Sequence, residues 1–301
     1  MKFFIPLLMI CFGGSINAQH QILFDSLDII APGNKQVNRV SDQFSFTEGP
    51  AADKKGRIYF TDQPNDKIWL FDPQKNKLSL FLSGTGRANG LFIDRKGNIV
   101  ACADEHGELR KITPNGKTSI ILNNLQGKRM NGPNDLWIDK KGGIYFTDPF
   151  YRRDYWDHKE PGLETEAVYY LAQGAARPVV ADADLKKPNG IIGTADGKTL
   201  YVADIGDGKT YRYQIEPDGS LTGKTLFVNQ GSDGMTLDHK GNLYITGKGV
   251  TVYDKLGNKI AQIPVPANWT ANVTFGGRKK NLLFITAGKG IYSLLMNVKG
   301  Q

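Results

Sequence analysis

Cysteine and histidine are scarce in this chain, and their scarcity excludes several kinds of site. Two cysteines, Cys11 and Cys102, occur among 301 residues, with no Cys-x-x-Cys pair and no cysteine–histidine spacing typical of zinc ligands. No Gly-x-Ser-x-Gly motif provides the nucleophile of a serine hydrolase, and the four histidines are far apart in the sequence: His20, His106, His158 and His239. A disulfide scaffold, a zinc finger and a nucleophilic triad are therefore excluded.

Long apolar runs are also lacking. The one apolar run of note, residues 3–12, is half the length of about 20 residues that a membrane span needs. Lys2 precedes it and small residues ending in Ala18 follow it, which is typical of a secretory signal peptide cleaved after Ala18. We therefore expect an exported protein, periplasmic or secreted. A buried N-terminal element and lipidation at Cys11 are less favoured, the latter because the bulky Ile10 precedes the cysteine.

The charge balance is basic, but it is not concentrated in any one segment. Lysine and arginine number 38 against 30 aspartates and glutamates, a formal charge of +8. A basic chain can indicate nucleic-acid binding. Here the lysines are scattered through turns such as Asp53–Gly56 and Asp139–Gly142, without a basic stripe or helix. We expect a solvated surface that attracts anionic substrates and does not bind nucleic acid.

An internal repeat organises the chain. Each copy consists of an apolar strand, a turn that most often pairs Asp with Gly, and a second strand rich in aromatic and β-branched residues, a pattern that predicts a β-hairpin. A third and a fourth strand follow most copies, and no amphipathic helix interrupts them. Four strands per repeat are typical of a β-propeller blade. The copies occupy residues 51–60, 91–100, 136–146, 191–202, 235–245 and 273–285.

The repeat predicts an all-β fold, a six-bladed β-propeller forming one domain over residues 19–301. One polar residue at the start of each inner strand recurs every 39 to 55 residues, close to the expected period of a blade. The longest interval contains an insertion in blade three, residues 151–166, which we expect to lie over one face. The last copy lacks a fourth strand, and Gln21–Ile30 is predicted to supply it and close the ring. The six recurring residues are Glu48, Asn89, Asn134, Asn189, Asp233 and Asn272.

These recurring residues, called anchors below, are predicted to converge at the central channel, where the inner strands begin on the same face. Two carboxylates and two amide carbonyls form an oxygen-only donor set that suits a divalent cation: Glu48, Asn134, Asn189 and Asp233. Ca²⁺ fits best, with Zn²⁺, Mg²⁺ or Mn²⁺ as alternatives. Asn89 and Asn272 are further candidate contacts to the metal site or to substrate. In the alternative interpretation, Asn, Asp and Gly serve turn geometry alone.

The run from Arg129 to Leu136, followed by residues 144–149, resembles the signature of bacterial gluconolactonases, members of the regucalcin/gluconolactonase family of six-bladed propellers. Matching motifs occur at residues 47–50, 188–190, 233–235 and 275–277. The resemblance implies metal ligation by Glu48, Asn189 and Asp233, with Asn134 as a fourth ligand or a substrate contact. It also implies a substrate-binding arginine, for which Arg129 is the candidate, although its spacing to Asn134 is longer than in animal members.

The function implied by the resemblance is a metal-dependent lactonase that opens glucono-1,5-lactone to gluconate, with Asp233 as the base. His106 is a candidate substrate contact if it reaches the channel, and a surface histidine otherwise. Asn272 stands where the related diisopropyl-fluorophosphatase type has a histidine, which disfavours a phosphotriesterase. Two alternatives stay open: hydrolysis of another lactone or an organophosphate at the same site, and a non-catalytic propeller that binds a sugar acid or a protein.

Overall fold

The computed structural model describes residues 29–34 and 36–301, and its hairpin turns follow from the sequence repeat. In the first turn, Asp53 Oδ1 accepts hydrogen bonds from the backbone N–H groups of Lys55 and Arg57, each at 2.9 Å. Gly56 takes the left-handed conformation, with φ of 80°, that closes such a turn. Asp94 and Asp238 make the same pair of bonds in later blades. Repeated Asp and Gly therefore encode repeated hairpins.

Twenty-four strands in the described residues form six antiparallel sheets of four strands each. One 3-10 turn, at Gln63–Asn65, lies between the second and third strands of the first sheet. The predicted six-bladed β-propeller is confirmed. Blade one contains β2 (Thr47–Ala52), β3 (Ile58–Asp62), β4 (Lys67–Asp72) and β5 (Lys77–Ser83). Blade two contains β6 (Ala88–Ile93), β7 (Ile99–Ala103), β8 (Glu108–Ile112) and β9 (Thr118–Leu122). Blade three contains β10 (Leu136–Ile138), β11 (Ile144–Asp148), β12 (Ala167–Leu171) and β13 (Val179–Asp182).

The second half of the ring repeats this order. Blade four contains β14 (Pro188–Gly193), β15 (Thr199–Asp204), β16 (Lys209–Ile215) and β17 (Leu221–Val228). Blade five contains β18 (Met235–Leu237), β19 (Leu243–Gly247), β20 (Gly249–Tyr253) and β21 (Lys259–Ile263). Blade six contains β22 (Asn272–Gly276), β23 (Leu282–Ala287) and β24 (Gly290–Leu295), with β1 (Asn38–Ser41) as its outer strand.

The ring is closed by an N-terminal strand, but not by the predicted segment. β1 pairs antiparallel with β24, with Asn38 opposite Ser293 and Arg39 opposite Tyr292. Ile30 forms only an isolated bridge with Met296, and residues 21–28 lie outside the described part of the chain. The prediction of Gln21–Ile30 was therefore wrong about the segment. β1 lies just before β2 in the sequence, so a short connection carries the chain from blade six into blade one.

Neighbouring blades are joined by hydroxyl groups as well as by apolar packing. Thr61 in β3 donates to the backbone carbonyl of Asn89 in the next blade at 3.0 Å, and Thr147 in β11 donates to that of Asn189 at 2.8 Å. Thr246 in β19 donates likewise to the carbonyl of Ala271 at 2.8 Å. All three threonines are fully buried. In these three blades the second strand therefore fixes the start of the inner strand in the next blade.

The predictions for the N-terminal segment, the cysteines and a membrane span concern parts of the chain other than the blades. The signal peptide at residues 1–18, with Cys11, lies outside the described residues and stays a prediction. Cys102, the remaining cysteine, is buried in β7. Within residues 29–34 and 36–301, no helix has the length and hydropathy of a membrane span.

Phe44 supports the closure of the ring, because its ring packs edge-on against Phe60 and Trp69 of blade one, at 5.1 and 5.5 Å between centroids. Its backbone N–H donates to Lys289 of blade six at 3.3 Å. We predict that Phe44→Ala lowers the free energy of unfolding by about 3–5 kcal/mol, through lost packing and an unfilled cavity.

Urea denaturation followed by tryptophan fluorescence measures this change. Leu256→Ala is the matched control, because Leu256 is 79% exposed in a turn, and it should change stability by less than about 0.5 kcal/mol. A Phe44→Ala protein as stable as the control would show that Phe44 does not support the closure.

Candidate active site

The six anchors lie at one mouth of the channel, as their spacing predicts. Glu48, Asn89 and Asn189 are each the second residue of an inner strand, and Asn272 is the first residue of β22. Asn134 and Asp233 come two residues before β10 and β18. Five of the anchors are buried, and Asp233 is half-buried. The inner strands therefore place polar side chains where a globular protein ordinarily places apolar ones.

Glycine after an anchor allows the next anchor to approach. A Cβ atom at Gly234 would lie 1.9 Å from the Asn272 side chain, and one at Gly90 would lie 2.6 Å from the backbone oxygen of Asn134. The Gly90 N–H instead donates to that oxygen at 2.8 Å. These Asn-Gly and Asp-Gly pairs therefore serve close packing around the channel, so the turn chemistry considered above is not their main role.

Three carboxylates share the centre of this site. Asn272 links two of them, because its Nδ2 donates to Glu48 Oε2 at 3.2 Å and lies 3.5 Å from Asp135 Oδ2. Burial raises the pKa of Glu48 well above its ordinary value, and the negative charges of Asp233 and Asp135 raise it further. Burial likewise raises the pKa of Asp135 to about 7. No basic side chain in the described chain forms an ion pair with these three carboxylates, so burial and mutual repulsion disfavour their simultaneous ionisation.

Asp135 is a site residue that sequence reasoning missed. It follows the anchor Asn134 directly, and its Oδ1 accepts the N–H of Leu136 at 2.8 Å. The sequence contained a signal for this residue: Asn134 is followed by an acidic residue, whereas the other Asn anchors are followed by Gly or Val.

The Asp233 carboxylate accepts a hydrogen bond from a tryptophan indole. Trp269, in the loop before β22, donates from Nε1 to Asp233 Oδ2 at 2.6 Å. Burial raises the pKa of Asp233 to about 6, although this hydrogen bond and the positive charge of Arg153 lower it. Asp233 is therefore ionised at neutral pH and oriented by a side chain that sequence reasoning did not select.

Two buried amide oxygens at the site have no hydrogen-bond partner in the described chain. They are Oδ1 of Asn89 and Oδ1 of Asn189. The Asn189 Nδ2 group donates to Tyr151 OH at 3.0 Å, which fixes the orientation of the amide. An unpaired buried carbonyl costs free energy unless a ligand satisfies it.

The donor set fits a hard divalent cation. Glu48 and Asp233 supply negative charge, and Asn189 supplies the unpaired oxygen. The described residues contain no cluster of three or more His, Cys, Asp and Glu side chains arranged as metal ligands. A cation here would therefore depend on amide oxygens and water as well as on the two carboxylates. Asn134 is buried, its backbone oxygen accepts the N–H of Gly90, and no hydrogen bond to its side chain is found in the described chain.

The predicted insertion, residues 151–166, lies in the loop of residues 149–166 between β11 and β12, and Tyr151 brings this loop to the anchor Asn189. Its contacts to Asp104 at the end of β7 hold it in place. Arg153 Nε donates to Asp104 Oδ2 at 2.9 Å, Tyr155 OH donates to Oδ1 at 2.6 Å, and Trp156 Nε1 donates to the backbone oxygen at 2.9 Å. Its role could not be inferred from spacing, since an insertion interrupts the repeat.

Two predicted substrate contacts lie away from the anchors. The Arg129 guanidinium stacks 4.9 Å from the Trp156 ring and contacts His158, and it makes no hydrogen bond to an anchor in the described chain. His106 is 63% exposed in the turn after β7, with Glu105 3.9 Å away. Their roles in substrate binding stay predictions, and the structure brings neither to the four predicted metal ligands.

The fold and the site define a six-bladed propeller with acidic and amide side chains around its channel mouth. The chain belongs to the family described as SMP-30/Gluconolactonase/LRE-like region, whose model matches residues 25–124 and 46–289. The resemblance noted from the sequence motifs is thereby confirmed.

Known relatives agree with this membership. A gluconolactonase from Zymomonas mobilis is 28% identical over 298 residues, covering 88% of this chain and 82% of that protein. The structure of a gluconolactonase from Xanthomonas campestris matches with a TM-score of 0.84 at 27% identity, covering 92% of this chain and 94% of that one. Regucalcin from Agrobacterium tumefaciens, a calcium-binding protein, shares the fold with a TM-score of 0.72 at 20% identity, covering 89% and 96%.

The raised pKa of Asp135 predicts a pH-dependent stability in the absence of a cation. Its folded-state pKa of about 7 lies above the ordinary 3.8, so its stabilising effect is complete below pH 4 and is lost as the pH rises through 7. From pH 5 to pH 8 the wild type should therefore lose about 2–3 kcal/mol more than Asp135→Asn, at about 1.4 kcal/mol per unit.

Urea denaturation at both pH values, with a chelator present, measures the difference. An identical pH dependence of the free energy of unfolding in the two proteins would contradict the prediction.

Proposed function

We propose that this protein is a hydrolase that opens sugar lactones, converting glucono-1,5-lactone to gluconate at the channel mouth with a divalent cation bound. The observation that carries the proposal is the convergence of Glu48, Asp233 and the unpaired oxygen of Asn189 at one point. Membership of the family and the gluconolactonases among its relatives support the reaction class. The N-terminal segment supports an exported protein, which would meet its substrate outside the cytoplasm.

Glu48, Asn189 and Asp233 would hold the cation, with Asn134 as a fourth ligand or a substrate contact. When bound, the cation polarises the lactone carbonyl and stabilises the negative charge that develops on its oxygen. The oxygen-only donors favour Ca²⁺, and the calcium-binding regucalcin of the same fold supports that choice. Binding would also relieve the repulsion that raises the pKa of Glu48.

Asp233 is the proposed base. Water attacks the carbonyl carbon, and its proton passes to the Asp233 carboxylate as the new C–O bond forms. The ring C–O bond then breaks, and the proton moves from Asp233 to the leaving alkoxide, so the product is the open hydroxy acid. The pKa of about 6 keeps the base ionised at neutral pH, and the Trp269 hydrogen bond orients it. Glu48 is too strongly buried and engaged with Gly49 and Asn272 to act as the base.

Removal of the base should abolish turnover without unfolding the protein. We predict that Asp233→Asn lowers kcat for glucono-1,5-lactone about 10²–10⁴-fold, the usual contribution of a general base. Acid release in a weakly buffered indicator assay measures the rate. Asp154→Asn, which changes an exposed residue of the insertion, is the matched control and should keep wild-type activity. An Asp233→Asn enzyme as active as the control would refute the assignment of the base.

A cation requirement gives a second test that includes a readout independent of turnover. We predict that a chelator abolishes hydrolysis and that added Ca²⁺ restores it. Isothermal titration of the chelator-treated protein with Ca²⁺ should show one site, weakened at least about tenfold in Glu48→Gln because a charged ligand is lost. Glu160→Gln, an exposed glutamate, is the control. Full activity in chelator, with no Ca²⁺ binding, would exclude the metal site.

A further inference from the structure

The segment Tyr151–Trp156, called the bridge below, connects blade four to blade two at the channel mouth. At one end Tyr151 contacts blade four, where its hydroxyl accepts from Asn189 at 3.0 Å and its ring lies 4.8 Å from Lys187 Nζ. At the other end Tyr155 and Trp156 bond to Asp104 of blade two. The bridge is therefore fixed to the blades on either side of blade three, and it reaches the anchors through Tyr151, which contacts Asn189, and through the charge of Arg153, which acts on Asp233.

The carboxylate of Asp104 can accept hydrogen bonds from the bridge because, unlike the corresponding aspartates of other blades, it does not bind backbone N–H groups of the preceding loop within the described chain. The corresponding residue at the end of the second strand, Asp62, Asp148 or Asp204, accepts two backbone N–H groups of the loop that precedes its own blade. For the loop that precedes blade two, Asp66 of blade one accepts the equivalent N–H groups, those of Thr85 and Arg87, each at 2.8 Å. Asp104 instead accepts side chains, including Gln63 Nε2 at 2.8 Å. The bridge therefore has a rigid, buried acceptor.

Arg153 is the cation at the centre of the bridge. Asp104 holds its guanidinium through Nε alone, and the two terminal nitrogens make no hydrogen bond within the described chain. The side chain is 26% exposed and lies over the ring of Tyr151 at 5.7 Å. Its charge is felt by Asp233, whose pKa it lowers. A guanidinium fixed at one nitrogen, with two donor nitrogens left over, is suited to bind neighbouring oxygens of a ligand.

We propose that Arg153 is the specificity-determining residue of the site, donating hydrogen bonds to the hydroxyl oxygens of a polyhydroxylated lactone and to the carboxylate of the sugar acid formed from it. The proposal rests on the lactonase function proposed above and adds the group that selects sugar lactones over unsubstituted ones. Arg129 also has two nitrogens, Nε and Nη2, without a hydrogen-bond partner in the described chain. Its guanidinium, however, lies against Trp156 and His158 and makes no hydrogen bond to an anchor there, whereas the charge of Arg153 acts on Asp233.

The test compares two lactones of the same ring size, glucono-1,5-lactone and δ-valerolactone, which has no hydroxyl groups. Arg153→Gln should lower kcat/KM for the sugar lactone at least about tenfold, chiefly through KM, because buried polar contacts to the substrate are lost. It should change kcat/KM for δ-valerolactone less than about threefold, which also shows that the site is intact. Arg153→Lys should show a smaller loss of kcat/KM than Arg153→Gln, because lysine keeps the positive charge but lacks the paired N–H donors of the guanidinium.

Arg152→Gln is the matched control, because Arg152 is the exposed neighbour and its substitution removes the same charge from the same segment. It should leave both lactones unaffected. Equal losses for both lactones in Arg153→Gln, or a selective loss in Arg129→Gln and none in Arg153→Gln, would overturn the proposal.

Gluconate binding, measured by isothermal titration, separates this proposal from the proposed function. If the wild type hydrolyses neither lactone, the lactonase function fails. Gluconate affinity at least about tenfold weaker in Arg153→Gln than in Arg152→Gln would still support Arg153 as the anion-binding residue, through loss of a charge-assisted hydrogen bond. Equal affinity in the two variants, or no binding to the wild type, would overturn the assignment of Arg153.

Discussion

The approach of six inner strands to a common axis is the constraint on which the rest of this structure depends. Buried threonine hydroxyls bind several inner strands to the blade before them, as Thr61 does at Asn89 and Thr147 at Asn189, and a backbone bond from Gly90 to Asn134 joins blades two and three. Glycine beside an anchor removes the Cβ atom that would prevent this approach, most clearly at Gly234. Because the backbone is fixed so closely, the anchor side chains have little freedom to move apart, and their mutual repulsion cannot be relieved by relaxation of the fold.

That repulsion links stability to function. Glu48, Asp135 and Asp233 are held together in a poorly hydrated place, and each has a raised pKa. Their charge disfavours the folded state at neutral pH, and a bound cation would offset it. The unpaired oxygen of Asn189 adds a second cost of the same kind. A site of this design is less stable by itself than an apolar channel would be, which is expected where a ligand completes the structure.

The inner strands of the ring provide the anchors, and the insertion in blade three provides further side chains next to them. The anchors come from equivalent positions of the repeat, whereas Tyr151 and Arg153 come from a loop without a counterpart in the other blades. Asp104 connects the two, because it belongs to the repeat by position and to the insertion by its hydrogen bonds. A propeller can therefore change its substrate by changing one loop, while the inner strands and their carboxylates stay as they are.

The sequence alone determined the number of blades, the hairpin turns and the convergence of the anchors, because each depends on a local pattern repeated at a regular interval. It also indicated an N-terminal closing strand, but β1 could be distinguished from Gln21–Ile30 only by the path from blade six to blade one. Asp135, Trp269, Tyr151 and Arg153 came to the site through tertiary structure. Their positions depend on loop paths and on contacts between distant segments, and periodicity carries no information about either.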